Sequence, residues 1–440
     1  MSTPAQILRP LDSARRKAYW RLLPLVFVAY MVAYIDRANV SIAKLTMLQT
    51  LPAFTNDVIG FGSGIFYLGY ILPEIPACLI IEKWGARRTI ARIMVMWGVI
   101  AALTAAVKTP HEFYTVRFLL GAAEAGFFPG IIIYLTHWFP SRDRARALSF
   151  LIIAQPAAQL FSLKISNALM GWTLFGLAGW QWVYIVWGIP AVMLGIVVWF
   201  VLTDRPARAT WLNEAEKTAL ETELEKERAQ RAAGPRMSIL QVLTNPRVLL
   251  LTLAYFCTVS ASLGFELFMP SILKDWYHLD LNTITWLAML PPALAIAGVM
   301  FVGWNSDRTK ERRWHTLTPV ILSLAALALA PLTRGTASYT LTIVCFMIVA
   351  AGLKSYQPAF WSLPSLFLTG SAAAGSIGLI NSIGNIGAFC GQSLLGKMQT
   401  LTHSFVGGLY WLCGSLLVFI AIIFFLGLGK KEKPGATSPF

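Results

Sequence analysis

Twelve apolar runs of about 18 to 24 residues, each bounded by charge or turn residues, recur along the 440-residue chain. At a rise of about 1.5 Å per residue, each run is long enough as a helix to cross a hydrocarbon core of about 30 Å. They lie near 22–42, 61–81, 89–107, 113–136, 147–170, 182–202, 249–272, 283–304, 315–332, 340–363, 372–398 and 405–428. Hydrophobic residues make up 56% of the chain and charged ones only 13%, against roughly 25% charge in an average soluble protein. That balance excludes most soluble folds and any disordered polymer. Lipid is the solvent that fits, and in lipid the backbone must satisfy its own hydrogen bonds, which makes the runs helices. The fold class that follows is an all-α membrane protein of twelve transmembrane helices.

The net charge of +15 suggests a nucleic-acid binder until its distribution is read. Of the 36 Lys and Arg, 27 fall in the termini and in the connections after the second, fourth, sixth, eighth and twelfth runs. Five fall on the opposite side: Lys44, Lys108, Lys274, Arg334 and Lys397. By the positive-inside rule both termini are cytoplasmic, and the charge is topological, with no nucleic-acid partner. Residues 1–21 carry five basic residues and no small-residue cleavage site, so the first run stays as a helix and not a signal peptide. Short outer loops point to a bacterial plasma membrane. The five Cys, at 78, 257, 345, 390 and 413, sit singly in apolar stretches and read as inert thiols.

One long connection divides the chain into six helices plus six. The expected parts are a cytoplasmic tail over 1–21, a first bundle over 22–202, a linker over 203–248, a second bundle over 249–428 and a tail over 429–440. Within the linker, Trp211–Gln230 is polar and helix-prone, with Asn213 and Glu216 spaced as a capping box, and reads as a solvated helix. A repeat supports the division: E-K-W-G-A-R-R from Glu82 to Arg88 and D-R-T-K-E-R-R from Asp307 to Arg313 occupy the same place in each half. Paired bundles of this kind are a common transporter plan.

The chain resembles the major facilitator superfamily and, within it, the anion:cation symporter family of phthalate, tartrate and galactonate permeases. The segments that carry the resemblance are Y-I-D-R-A-N (Tyr34 to Asn39), R-F-L-L-G-A-A-E-A-G-F-F-P-G (Arg117 to Gly130), and P-A-F-W-S-L-P-S-L-F-L-T-G (Pro358 to Gly370) running into A-A-A-G-S-I-G-L-I-N-S-I-G-N-I-G (Ala372 to Gly387). It implies two six-helix bundles and proton-coupled uptake of a small organic carboxylate by alternating access, with no cofactor beyond the coupling proton and a monomer in the bilayer. By resemblance Glu82, Arg87, Arg88, Asp307 and Arg308 form gating salt bridges between the halves, and Tyr70 and Gln155 line the cavity.

Charges inside the runs carry the chemistry. A buried charge costs at least about 2.5–3.5 kcal/mol in a bilayer and needs a partner, water or a function. Asp36 and Glu124 both fall near mid-bilayer, and by resemblance they carry the proton. Cations lie close in sequence: Arg37 follows Asp36, and Arg117 precedes Glu124 by two turns on one face, with Gly121 between them leaving room for a ligand or a facing helix. An arginine fork accepts a carboxylate bidentately and stays charged, which suits Arg37 and Arg117 to substrate binding. The competing reading is a static ion pair that fixes packing.

The second half offers mainly neutral polar groups. Asn381 and Asn385, one turn apart, present their amides on one face for substrate oxygens or for interhelical bonds. Lys354 lies deep, beside Tyr356, and either meets a second anionic group or pairs with protein. Tyr34 joins Tyr356 as a weaker substrate contact. Lys164 and Glu266 lie toward the outer surface, to snorkel there or to form a gate pair. No metal-ligand cluster and no H-E-x-x-H, Walker A or G-x-S-x-G motif is present, so the chain does not read as an enzyme. The alternatives to symport are a proton-independent uniporter or exchanger and, further off, a carboxylate sensor.

Overall fold

A computed structural model describes residues 4–232, 244–335, 338–368 and 370–428. Every regular element among them is helical. Among the described residues, nine helices are long and apolar enough to cross a membrane: Pro10–Thr50, Ala86–Ala106, Pro110–Trp138, Gly179–Val201, Pro246–Tyr277, Leu281–Thr309, Arg313–Thr333, Thr340–Phe360 and Val406–Leu426. The described residues fall into two compact units, one within Met1–Ala53 and Ile65–Gly234, the other within Phe54–Gly64 and Pro235–Phe440.

The first unit is built on α1 (Pro4–Thr50), α2 (Asn56–Ile71, whose first turns count with the second unit), α3 (Glu74–Trp84), α4 (Ala86–Leu103), α5 (Pro110–Glu124), α6 (Phe127–Trp138), α7 (Ser141–Ile152), α8 (Ala154–Met170), α9 (Gly179–Val201) and α10 (Glu214–Ala232). Three expected spans are interrupted, each with a local cause. Pro73 separates α2 from α3, and Gly126, at φ +82°, turns the chain between α5 and α6. Between α7 and α8 the break at Ile153 precedes Pro156, which has no N–H to give the preceding turn.

Small residues set the helix spacing. A side chain at Gly121 would collide with the Phe66 carbonyl, and one at Gly69 with the Phe118 carbonyl, so α2 and α5 touch backbone to backbone. The space expected at Gly121 is thus filled by a facing helix. Gly98 of α4 and Gly188 of α9 meet in the same way, a Cβ on either lying 2.6–2.7 Å from the other's carbonyl oxygen.

Helix α1 is longer than the apolar run implied. It begins at Pro4, so most of the expected tail is helical, and it runs to Thr50. Lys44, read from sequence as an outer-loop charge, therefore lies inside α1 and is fully buried. The linker also departs from expectation. Helix α10 is not simply solvated: it packs on α1, burying Leu212, Leu220 and Leu224 just before and along its length. Ser13 donates to Glu216 at 2.6 Å and Lys17 Nζ lies 2.8 Å from the same carboxylate. Glu216 also closes the capping box with Asn213, their backbone N–H groups donating to each other's side chains at 3.0 and 2.8 Å. Arg15 pairs with Asp143, which accepts from its Nη2 at 2.6 Å, and Arg144 pairs with Glu227 at 3.0 Å. Trp211 stacks on Trp138 at 5.2 Å.

The second unit comprises α11 (Pro246–Tyr277), α12 (Leu281–Thr309), α13 (Arg313–Leu329), α14 (Thr340–Ser355), α15 (Gln357–Phe360), α16 (Gly370–Thr402) and α17 (Val406–Leu426). Its main seam joins α11 to α16, where Gly387 and Gly391, four residues apart, abut the carbonyls of Phe256 and Ser260. Cys257, Cys345 and Cys413 are buried free thiols and Cys390 is half-buried; the side chain of Cys78 lies outside the described residues.

Burial by itself raises the pKa of Glu216, but the bonds from Lys17, Ser13 and Asn213 outweigh it and hold the carboxyl below its ordinary value of 4.5. Its contribution is complete above that value and is lost as pH falls through the lower folded one. Glu216→Gln, removing bonds worth about 1 kcal/mol each, should speed hydrogen exchange of the α10 amides several-fold at pH 7. The wild type should keep its protection down to pH 4.5 and approach the variant only below it.

Candidate functional site

Charged side chains of α1 in the first unit reach partners on α4 and on α5. Asp36 and Arg37 are neighbours on a helix and so point about 100° apart. They reach different partners. Asp36, 4% exposed, turns to α4 and accepts a hydrogen bond from Trp97 Nε1 at 2.6 Å. Arg37 turns to α5, where its Nη2 and Nε donate to Glu124 Oε1 at 2.6 and 3.0 Å. Both bonds fall on one carboxylate oxygen.

Three aromatic rings surround the Arg37 guanidinium, Tyr34, Phe66 and Tyr70, with centroids 5.3, 5.2 and 5.2 Å from its central carbon. Rings at that distance stabilise a cation without neutralising it. Tyr70 and Phe66 lie one turn apart on α2, brought against α5 by the glycine contact at Gly69 and Gly121. Tyr34 hydrogen-bonds Tyr30 at 3.3 Å and meets its ring edge-on.

Arg117 is 2% exposed and sits over Phe66 at 5.0 Å. Its Nε and Nη1 are buried with no hydrogen-bond partner. The sequence offered Asp36 with Arg37 and Arg117 with Glu124 as local pairs; the structure bonds Arg37 to Glu124 instead. Seven residues along one helix separate Arg117 from Glu124 by about 10.5 Å of rise, and Glu124 is bonded by Arg37 rather than by Arg117.

The other expected site residues are more scattered. Gln155 is half-buried in the first turn of α8, and no bond among the described residues ties it to the charged set. In the second unit Lys354 pairs with Glu266 at 2.7 Å, and Ser262 donates to the same carboxylate oxygen at 2.8 Å. Glu266, expected opposite Lys164, is thus engaged by Lys354, while Lys164 is exposed on α8. Tyr356 is 1% exposed, its hydroxyl 2.7 Å from that of Thr258 and its ring against Phe360 and Phe419. Its hydroxyl and ring are thus both engaged by the second unit's own core. Asn381 and Asn385 are half-buried on α16, and the space around Gly378, one turn before, is open.

Among the expected gating residues, the Glu82 side chain lies outside the described residues. The Arg87 backbone N–H donates to Asp204 at 2.8 Å, and Arg88 is exposed. Asp307 pairs with Arg312 at 2.7 Å, and Arg308 lies over Trp304 at 5.3 Å. Two contributors to the charged cluster were missed from sequence. Phe66 had a signal, standing four residues before Tyr70 on the same helix face; Trp97, an apolar residue in an apolar run, had none.

The Major Facilitator Superfamily model matches residues 26–392. A protein of Agrobacterium vitis named for tartrate transport is 41% identical over 425 residues, covering 96% of this chain and 97% of its own. The metabolite transport protein NicT of Pseudomonas putida is 37% identical over 404 residues, with 91% and 92% covered. The crystal structure of a D-xylose-proton symporter shares the fold, with a TM-score of 0.73 at 15% identity over 95% of this chain and 99% of that one. The chain is a member of the major facilitator superfamily, related to its anion:cation symporters, and a multi-pass membrane transporter.

Proposed function

We propose that the protein carries a small organic carboxylate, of the sugar-acid, dicarboxylate or aromatic-acid kind, across a bacterial inner membrane in symport with protons. The observation that carries this reading is the unequal state of the two arginines: Arg37 is engaged by Glu124, whereas buried Arg117 keeps two N–H groups with no acceptor. An unbonded buried donor is costly, and a substrate carboxylate is an acceptor of the right charge and shape.

Charge balance supplies the coupling. Asp36 and Glu124 against Arg37 and Arg117 sum to zero when all four are ionised. An entering carboxylate alone would leave a net negative charge in a dry site, which is strongly unfavourable. A proton taken up with it restores neutrality. Glu124 is the natural acceptor, because its protonation weakens the bond to Arg37 and releases that guanidinium to the substrate. The aromatic cage holds Arg37 in place while its partner changes. Asp36, bonded to a neutral donor, is the second proton site.

The name of the 41% identical relative supports a carboxylic acid as cargo. On this reading the protein acts as a monomer with both termini cytoplasmic, uses no cofactor besides the proton and performs no catalysis. The Arg87–Arg88 and Asp307–Arg308 segments then serve as its gates, setting rate more than affinity.

In proteoliposomes, Glu124→Gln should abolish tartrate accumulation driven by an imposed pH gradient while tartrate counterflow persists; gradient-driven uptake at the wild-type rate would remove Glu124 from the coupling. Arg117→Lys keeps the charge but loses the fork, and should weaken tartrate binding measured by calorimetry about tenfold or more. An unchanged affinity would exclude Arg117 from the substrate site.

A further inference from the structure

We propose that Trp97 is a positioning residue for the proton on Asp36, setting the pH range over which the carrier works. This rests on the reading of Asp36 as a proton site. The juxtaposition is specific: the fully buried Trp97 indole donates from Nε1 to Asp36 Oδ2 at 2.6 Å, and its ring meets Phe127 edge-on at 4.9 Å. Phe127 opens α6 just after the Gly126 turn, three residues beyond Glu124. One side chain on α4 therefore touches the first acid and the helix break beside the second.

An indole N–H donates and has no acceptor. It bonds strongly to a carboxylate and less strongly to the neutral acid, so it favours the ionised form of Asp36 without supplying a charge. Glu124 is served differently, by a cation that leaves when the proton arrives. The two acids thus hold their protons under separate controls, as pairs of carboxyl groups in proton chemistry commonly do. The other charged or titratable groups acting on Asp36 are Arg117 and Glu124 from α5 and Tyr184 from α9, with Arg37 next to it on α1. Among the described residues, Trp97 is the hydrogen-bond donor that reaches it from another helix. The backbone contact of Gly98 with Gly188 fixes the height of Trp97 on α4, so the donor is held rigidly.

The test is the pH profile of tartrate uptake into proteoliposomes. Trp97→Phe keeps a ring against Phe127 and removes the donor; replacing Trp97 with its benzothienyl isostere removes the N–H alone and covers the case in which the phenyl variant folds poorly. Either should move the pH of half-maximal uptake upward by about one unit. In an Asp36→Asn background the Trp97→Phe change should have no further effect on the profile. A profile superimposable on the wild type for both Trp97 variants, or a shift that persists without Asp36, overturns the inference. Gradient-driven uptake with a wild-type pH profile in Asp36→Asn alone instead overturns the assignment of a proton to Asp36, so the two failures are told apart.

Discussion

The bond between Arg37 and Glu124 is the constraint on which the first unit depends. A guanidinium placed mid-helix in an apolar run has to meet an anion or water. Meeting Glu124 brings the side chains of α1 and α5 to one place, and the cage of Tyr34, Phe66 and Tyr70 brings α2 to it as well. Gly69 and Gly121 make that possible by letting two backbones touch. Fold and site are therefore one problem here: the small residues that pack the helices also place the rings around the cation. A bond of this kind contributes little net stability, since desolvation offsets most of its attraction, but an unpartnered charge in its place would be severely destabilising.

The two units divide their chemistry unequally. The first holds two acids and two arginines in a set whose charges cancel, and one guanidinium in it lacks a hydrogen-bonding anion. The second holds a lysine already matched to a glutamate, which leaves Asn381 and Asn385 as neutral groups with both donor and acceptor capacity. On the proposed reading, charge that changes during a cycle is concentrated in the first unit, while Asn381 and Asn385 of the second do not ionise.

The four central charges were legible because an ionised residue in a hydrophobic run has no bland explanation. Their partners were not. Adjacency in sequence suggested Asp36 with Arg37 and Arg117 with Glu124, yet neighbours on a helix diverge and residues seven apart are separated by two full turns. Only the tertiary arrangement that brings the Arg37 and Glu124 side chains together decides which cation meets which acid. Trp97 illustrates a deeper limit: among 16 tryptophans, nothing local marks the one whose N–H finds a carboxylate 61 positions away. Tyr356 shows the reverse ambiguity, since a polar tip in an apolar segment reads equally as a ligand contact or as a core residue, and here its hydroxyl meets that of Thr258. Helix existence followed from hydropathy, whereas the interruptions at Pro73, Gly126 and Ile153 came from single residues within otherwise continuous patterns.

Fastening α10 to the start of α1 changes what the central connection is mechanically. The first body does not stop at Leu202, where the sixth apolar run ends, but takes in a helix buttoned to it by Glu216 and Glu227. Most of the segment between the apolar halves belongs, as a rigid passenger, to the body that precedes it.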